Sequence, residues 1–128
     1  MEISHGNLGN MKNQTIQNDF KNKTVLVTGH TGFIGTWMSL WLDLLGAKII
    51  GYSLNPSTTP SMFEIVKLKK NITHVVGDIN NFKKLQQTIK TENPEFVFHL
   101  AAQAIVRESY DDPLKTFQTN VMGTANIL

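Results

Sequence analysis

Three glycines between a strand-like segment and a helix-like one constrain the fold more than any other feature of this sequence. Residues 24–28 form a short β-branched and aliphatic run, which is typical of a buried parallel strand. Residues 33–45 carry apolar side chains at helical spacing. Gly29 permits a tight turn off the strand, Gly32 lets a phosphate approach the backbone, and Gly35 allows the helix to pack closely on the strand. The segment therefore predicts a strand–turn–helix unit whose helix N-terminus attracts an anion such as a pyrophosphate.

The alternation of strand-like and helix-like segments continues along the chain, with Gly and Pro at the breaks. Strands are predicted at residues 24–28, 47–54, 72–76 and 95–100, and helices at residues 33–45, 61–68, 81–91 and 113–128. Alternation at this interval implies right-handed βαβ units. The predicted fold class is α/β, a Rossmann-type doubly wound parallel sheet that is incomplete, with about four strands of its N-terminal half.

The expected domain is an NAD-binding one that covers residues 23–128. Residues 1–22 are rich in Asn and lack the apolar stretch of a signal peptide, so they predict a disordered leader. The apolar face of the last helix, which includes Phe117 and Val121, runs to the final residues without a C-cap signal. We therefore expect a domain that is truncated at its C-terminal end.

Composition excludes several classes of function. A formal net charge of +2 is too small for a nucleic-acid-binding footprint. The sequence has no Cys, and its four His residues are not paired at a metal-ligand spacing, so no metal is expected. No apolar run is long enough to cross a bilayer, so we expect a cytoplasmic protein without membrane partners.

The glycine turn and three later segments together resemble the extended short-chain dehydrogenase/reductase family, which includes nucleotide-sugar epimerases and dehydratases. The turn has the spacing G-x-x-G-x-x-G, Gly77-Asp78-Ile79 follows the third strand, Leu100-Ala101-Ala102-Gln103 follows the fourth, and Asn120 lies in the last helix. The resemblance implies NAD as cofactor, with Asp78 against the adenine amino group and the small residues after the fourth strand beside the ribose and nicotinamide. It also implies that Asn120 stabilises the active-site architecture.

The predicted cofactor-binding residues come from the turn, the strand ends and the last helix. They are Gly29, His30, Thr31, Gly32, Phe33, Ile34, Gly35, Ser53, Asp78, Ile79, Leu100, Ala101, Ala102, Gln103 and Asn120. Two roles stay open. His30 is either a plain loop residue or a contact to a cofactor phosphate. Residues 51–55 offer neither the acid typical of NAD binding nor an Arg for a 2′-phosphate, so Ser53 either binds the ribose hydroxyls or simply ends the strand.

Within the family, residues 103–110 and the helix with Trp37 and Trp41 are similar to the CDP-glucose 4,6-dehydratases. The resemblance implies that CDP-glucose is oxidised at C4 by hydride transfer to NAD, loses water across C5 and C6, and takes the hydride back at C6. It also implies that Arg107, Ser109 and Tyr110 lie near the substrate.

A Tyr-x-x-x-Lys pair, which the family uses as its catalytic base, is missing from this chain. The only tyrosines are Tyr52 and Tyr110, and the residues four positions beyond them are Pro56 and Leu114. No catalytic residue is therefore predicted, and the fragment should hold a dinucleotide without turning over substrate. The alternatives are an epimerase or a dTDP- or GDP-sugar dehydratase of the same family, or a non-catalytic dinucleotide-binding module. A homo-oligomer is expected for the full-length protein.

Overall fold

The computed structural model describes residues 16–128 and has a central four-stranded parallel sheet. The strands are β1 (Thr24–Thr28), β2 (Lys48–Ser53), β3 (Thr73–Val76) and β4 (Phe96–His99). Their order in the sheet is β3-β2-β1-β4, which places β1 in the interior. Strands β2 and β3 are added on one side of β1, and β4 is then added on the other side. This order confirms the predicted α/β fold with a parallel Rossmann-type sheet.

Apart from a helical segment at residues 16–20 that precedes β1, the helices lie between the strands and after the last one. They are α1 (Phe33–Leu44), α2 (Met62–Ile65), α3 (Phe82–Glu92), α4 (Val106–Asp111), α5 (Pro113–Phe117) and α6 (Gly123–Ile127), with a 3₁₀ turn at Leu68–Lys70 and a π-helical turn at Gln118–Met122. Helix α4 was not predicted, and the last predicted helix is interrupted by the π turn.

Successive residues of β1 point to opposite faces of the sheet and build a separate core on each. Val25 and Val27 pack with Leu42 of α1 on one face. Leu26 packs with Leu85 of α3 on the other face. Because helices cover both faces, the sheet is doubly wound as predicted, and β1 is fully buried apart from its first residue.

The folded region begins earlier than the predicted boundary at residue 23. Residues 16–20 are helical, and the ring of Phe20 packs against Phe96 and Phe98 of β4, with ring centroids 5.3 and 6.2 Å apart. This aromatic contact covers part of one face of the sheet. The composition of the leader gave no sign of it. The rest of the predicted leader, residues 1–15, lies outside the described residues.

Local signals fix the ends of several helices. Ser61 accepts a hydrogen bond from the Glu64 N–H while the Glu64 carboxylate accepts one from the Ser61 N–H, which together form a capping box at the start of α2. The Asn81 side chain caps α3 by accepting from the Lys84 N–H. Within residues 16–128, no helix has the length and apolar character needed to cross a membrane.

Candidate functional site

A cleft of about 500 Å³ opens at the carboxyl ends of the strands, on the edge of the sheet where ligands bind in open α/β folds. It runs from the glycine turn along the ends of β2 and β3 to the segment after β4. The lining residues are Gly29, Thr31, Gly32, Tyr52, Ser53, Leu54, Asn55, Ser57, Gly77, Asp78, Ile79, Asn80, Leu100, Ala101, Ala102, Lys115, Gln118 and Thr119.

The three glycines of the turn face different surroundings. Gly29 has a φ of +73°, and a Cβ on it would lie 2.7 Å from the Ala101 nitrogen. A Cβ on Gly35 would lie 2.1 Å from the Gly29 oxygen, because α1 begins directly against the turn. A Cβ on Gly32 would meet only the Gly29 oxygen at 3.3 Å. The protein itself therefore requires the first and third glycines, whereas the second leaves open space toward the cleft.

The N-terminus of α1 offers free hydrogen-bond donors beside that space. Gly32 is the N-cap residue, it supplies no side-chain cap, and the first turn contains no acidic residue. The Thr36 N–H bonds to the Gly32 oxygen at 2.8 Å, but within residues 16–128 the N–H groups of Phe33 and Ile34 have no such acceptor. The Phe33 and Ile34 side chains are 70% and 66% exposed and do not line the cleft. Their predicted contact with a cofactor can therefore be made only by the backbone.

His30 does not line the cleft, so of the two roles left open for it, a side-chain contact with a cofactor phosphate does not fit its placement. The side chain is fully buried, and its Nε2 lies 2.7 Å from Nδ1 of His74 on β3. The ring occupies the space over Gly51, where a Cβ would approach it to 2.4 Å, and it packs edge-on against Phe63. Burial first, and the neighbouring His74 second, lower the pKa of His30 to about 4. His30 is therefore a neutral core residue.

Thr31 and Ser53 meet at the other side of the turn, where the sequence placed them in one cofactor site. Their hydroxyl oxygens lie 2.8 Å apart, and the Thr31 hydroxyl also donates to the Leu54 carbonyl at 3.0 Å. Both side chains are less than a tenth exposed and both line the cleft. The pair ties the turn to the end of β2.

Asp78 lies at the end of β3 and lines the same cleft as predicted for it by position. Its carboxylate accepts a hydrogen bond from the Asn80 N–H at 2.8 Å, and its carbonyl accepts one from the Tyr52 hydroxyl at 2.9 Å. The Tyr52 ring fills the space over Gly77. Burial, and then the charge of Asp78, raise the pKa of the Tyr52 hydroxyl. Tyr52 is thus a protonated structural donor that holds the β3 end in place.

A chain of hydrogen bonds fixes the segment after β4. His99 Nδ1 lies 2.7 Å from the Thr28 hydroxyl, and His99 Nε2 lies 3.1 Å from the Thr124 hydroxyl. The Thr124 hydroxyl donates to the Asn120 carbonyl at 2.6 Å, so it can only accept from the imidazole. His99 therefore carries its proton on Nε2, and Nδ1 accepts from Thr28. The hydroxyl oxygen of Thr28 in turn accepts from the N–H groups of Leu100 and Ala101.

Asn120 lies in the π turn and contacts the backbone of the segment after β4 rather than the cleft. Its side chain accepts from the Gln103 N–H at 2.8 Å and donates to the Gln103 carbonyl at 3.0 Å. The Gln103 side chain is bonded to the backbone of Ile105. Neither residue lines the cleft, so their predicted direct contact with a cofactor is not seen. Both support the strand end that does line it.

The predicted substrate residues lie on α4 and are not brought into the cleft. Tyr110 is 82% exposed, Arg107 is exposed, and the Ser109 hydroxyl donates back to the Val106 carbonyl of its own helix. The cleft instead includes Lys115, Gln118 and Thr119 of α5 and the π turn, which the sequence reasoning missed. Their spacing of three and four residues marks one polar helix face, which is the signal that could have found them. No cluster of three or more potential metal ligands occurs within the described residues 16–128.

Comparison with known proteins decides the family. The sequence profile described as GDP-mannose 4,6 dehydratase matches residues 26–128. The chain belongs to this family. Among curated proteins, the CDP-glucose 4,6-dehydratase of Salmonella typhimurium is 51% identical to this chain over 112 residues. That match covers 88% of this chain and 31% of the relative.

Solved structures of the same kind share the fold. An epimerase from Methanothermobacter thermautotrophicus has a TM-score of 0.77 and 30% identity, covering 90% of this chain and 33% of that one. The UDP-glucose 4-epimerase of Brucella ovis in complex with NAD has a TM-score of 0.70 and 34% identity, covering 82% and 30%. The chain thus spans about a third of the length of these proteins. The predicted family of nucleotide-sugar epimerases and dehydratases is confirmed.

Proposed function

We propose that this chain is the NAD-binding part of a nucleotide-sugar 4,6-dehydratase that acts on CDP-glucose. The observation that carries the proposal is the uncapped N-terminus of α1, where free N–H groups stand beside the open space at Gly32. A helix start of this kind, at the carboxyl edge of a parallel sheet, favours a pyrophosphate. The 51% identity to a CDP-glucose 4,6-dehydratase supports the substrate class.

The residues of the cleft fit the parts of a dinucleotide. The N–H groups of Phe33 and Ile34 would hold the pyrophosphate, and Gly32 would leave room for it. Ser53 at the end of β2 would bind the hydroxyls of the adenosine ribose, and Asp78 at the end of β3 would face the adenine amino group. Ala101 and Ala102 carry side chains small enough for the nicotinamide half to pass beside them.

When bound, NAD would supply a hydride acceptor for the sugar C4 position and return the hydride at C6. The residues of this chain would bind and orient, because the chain contains no Tyr-x-x-x-Lys pair to take the C4 hydroxyl proton. Arg107, Ser109 and Tyr110 remain predicted substrate contacts. The exposed side chains of Arg107 and Tyr110 on α4 are free for a ligand or for packing with other parts of the protein, whereas Ser109 is half-buried and its hydroxyl is bonded within the helix.

Substitution of Gly32 by Val tests the site. The backbone of Gly32 is extended, at φ −75° and ψ 169°, which Val adopts without strain, so the fold should keep its thermal midpoint. The added methyl groups would occupy the pyrophosphate position and weaken NAD binding about 100-fold or more, roughly 3 kcal/mol by titration calorimetry. Gly32→Ala, with its single small contact at 3.3 Å, is the matched control and should lose less affinity. An unchanged affinity in the Val variant would place the cofactor elsewhere.

Two observations favour alternative functions. Solved neighbours include UDP-glucose 4-epimerases, so a related epimerase or a dehydratase for another nucleotide-sugar is the second candidate. A non-catalytic dinucleotide-binding module is the third candidate, because the cleft of this chain could hold a dinucleotide by itself. Assays of the full-length protein with CDP-glucose, dTDP-glucose and UDP-glucose separate them. A 4-keto product from CDP-glucose supports the proposal, a C4 epimer supports the second candidate, and no product from any sugar supports the third.

A further inference from the structure

The end of β2 lacks the charged side chains that usually choose between the two nicotinamide dinucleotides. Residues 51–55 include neither an acid nor an Arg, and the cleft there is lined by Ser53, Leu54, Asn55 and Ser57. An acid commonly accepts from the ribose 2′-hydroxyl, and an Arg commonly pairs with a 2′-phosphate. A choice between a 2′-hydroxyl and a 2′-phosphate at this position must therefore depend on whether the uncharged side chains there donate or accept hydrogen bonds.

The hydrogen bonds around Thr31 leave only one arrangement of protons. The Leu54 carbonyl can only accept, so the single proton of the Thr31 hydroxyl points to it, across 3.0 Å. The contact of 2.8 Å between Thr31 and Ser53 must then use the proton of Ser53. Both hydroxyls are nearly buried in the cleft wall, where an unmade hydrogen bond is costly. The Ser53 oxygen is thus left with lone pairs and no proton for a ligand.

An oxygen in this state distinguishes the two ribose forms. A ribose 2′-hydroxyl can donate to it, whereas a 2′-phosphate at neutral pH brings negative oxygens and at most a partly retained proton. We propose that Thr31 is a specificity-determining positioning residue, which holds the Ser53 hydroxyl as a hydrogen-bond acceptor and thereby selects an unphosphorylated ribose over a 2′-phosphorylated one. This inference rests on the proposed binding of NAD in the cleft.

The substitution Thr31→Val tests it, because Val keeps the shape of Thr and removes the hydroxyl. The Ser53 proton is then free to turn toward the ligand. We measure the Kd values of NAD and NADP by titration calorimetry for the wild type and the variant. We expect the wild type to prefer NAD. The ratio of the Kd for NADP to the Kd for NAD should fall about tenfold in Thr31→Val. The matched control Thr31→Ser keeps the hydroxyl and should retain the wild-type ratio. If Thr31 only joined the turn to β2, both affinities would fall together and the ratio would stay.

A second variant keeps the test decisive should Thr31→Val fail to fold. Ser53→Ala removes the acceptor itself, so it should weaken NAD binding more than NADP binding and lower the same ratio. An unchanged ratio in both variants, or a wild type that prefers NADP, overturns the inference. Failure of the proposed function looks different, because the wild type would then bind neither dinucleotide, or would bind both with no response to Gly32→Val.

Discussion

The two sides of the glycine turn, residues 29–35, show how one seven-residue segment meets two separate demands. On the inner side, the His30 side chain is buried in the core, Gly35 abuts the backbone of the turn, and Gly29 abuts the backbone after β4, although Gly29 also lines the cleft. On the cleft side, Thr31 and Gly32 line the cavity and leave room beside the helix N-terminus. The three glycines are therefore not equivalent. Changes on the inner side should cost stability, and changes on the cleft side should cost ligand affinity.

The largest effect on stability is expected for Gly35→Ala. The new Cβ would lie 2.1 Å from the Gly29 oxygen and 2.8 Å from the His30 Cα, which are backbone atoms that cannot rotate away. The helix would have to move off the turn, at a cost of about 3 kcal/mol or more in the free energy of unfolding. Urea denaturation followed by circular dichroism measures the loss. Gly32→Ala in the same turn is the control and should change the midpoint little, so equal losses would contradict the division of the turn.

A pH dependence of stability should come next in size, from His30. Its pKa is lowered from 6.5 to about 4 in the folded protein, so the unfolded chain binds the proton more readily. The contribution of neutral His30 to the free energy of unfolding is complete above about pH 6.5 and is lost as the pH falls toward about 4. The total loss is up to about 3 kcal/mol. Burial also lowers the pKa of His74 and His99, which adds to the same slope.

His30→Gln isolates the contribution of His30, because the amide can bond to His74 but does not titrate. Urea midpoints of the wild type and the variant are compared at about pH 7 and about pH 5. The wild type should lose more stability over this interval than the variant. Parallel slopes would show that the titration belongs to other groups.

The smallest of these effects is expected for Thr36→Val. The buried Thr36 hydroxyl donates to the His30 carbonyl at 3.0 Å and fastens the inner side of the turn to α1. Loss of that bond with the shape retained should cost about 1 kcal/mol. Ser39→Ala is the control, since its hydroxyl donates to the Gly35 carbonyl within the same helix and α-helices favour Ala. A larger loss in Ser39→Ala than in Thr36→Val would speak against a special role of the turn.

Elements with a strong apolar period were predictable from the sequence. The bounds of β1 are as predicted, α1 differs from the prediction by one residue at one end, and β2 differs by one residue at both ends. These elements were predictable because the pattern of apolar side chains shows their buried faces. Helix α4 was missed because the structure leaves all but one of its residues exposed, so its sequence has no buried face to show. The leader residue Phe20 was missed because its partners, Phe96 and Phe98, are distant in the sequence.

The cleft was predictable where position along the strands decides it, as for Gly32, Ser53 and Asp78. The direction of individual side chains was not. His30 turns inward because β2 has a glycine at position 51 and β3 has a histidine at position 74, and neither is visible from the turn itself. The same holds for Asn120, whose backbone partner Gln103 is 17 residues away.

The hydrogen-bond chain from Ala101 through Thr28, His99 and Thr124 to Asn120 runs in one direction only, with each hydroxyl donating once. An extra proton on His99 would point at the Thr28 oxygen, which already receives N–H groups, and would reverse the chain at its middle. These directed hydrogen bonds connect β4 to the C-terminal helices behind the cleft. They require a neutral His99 imidazole, so protonation of His99 in acid would break their order.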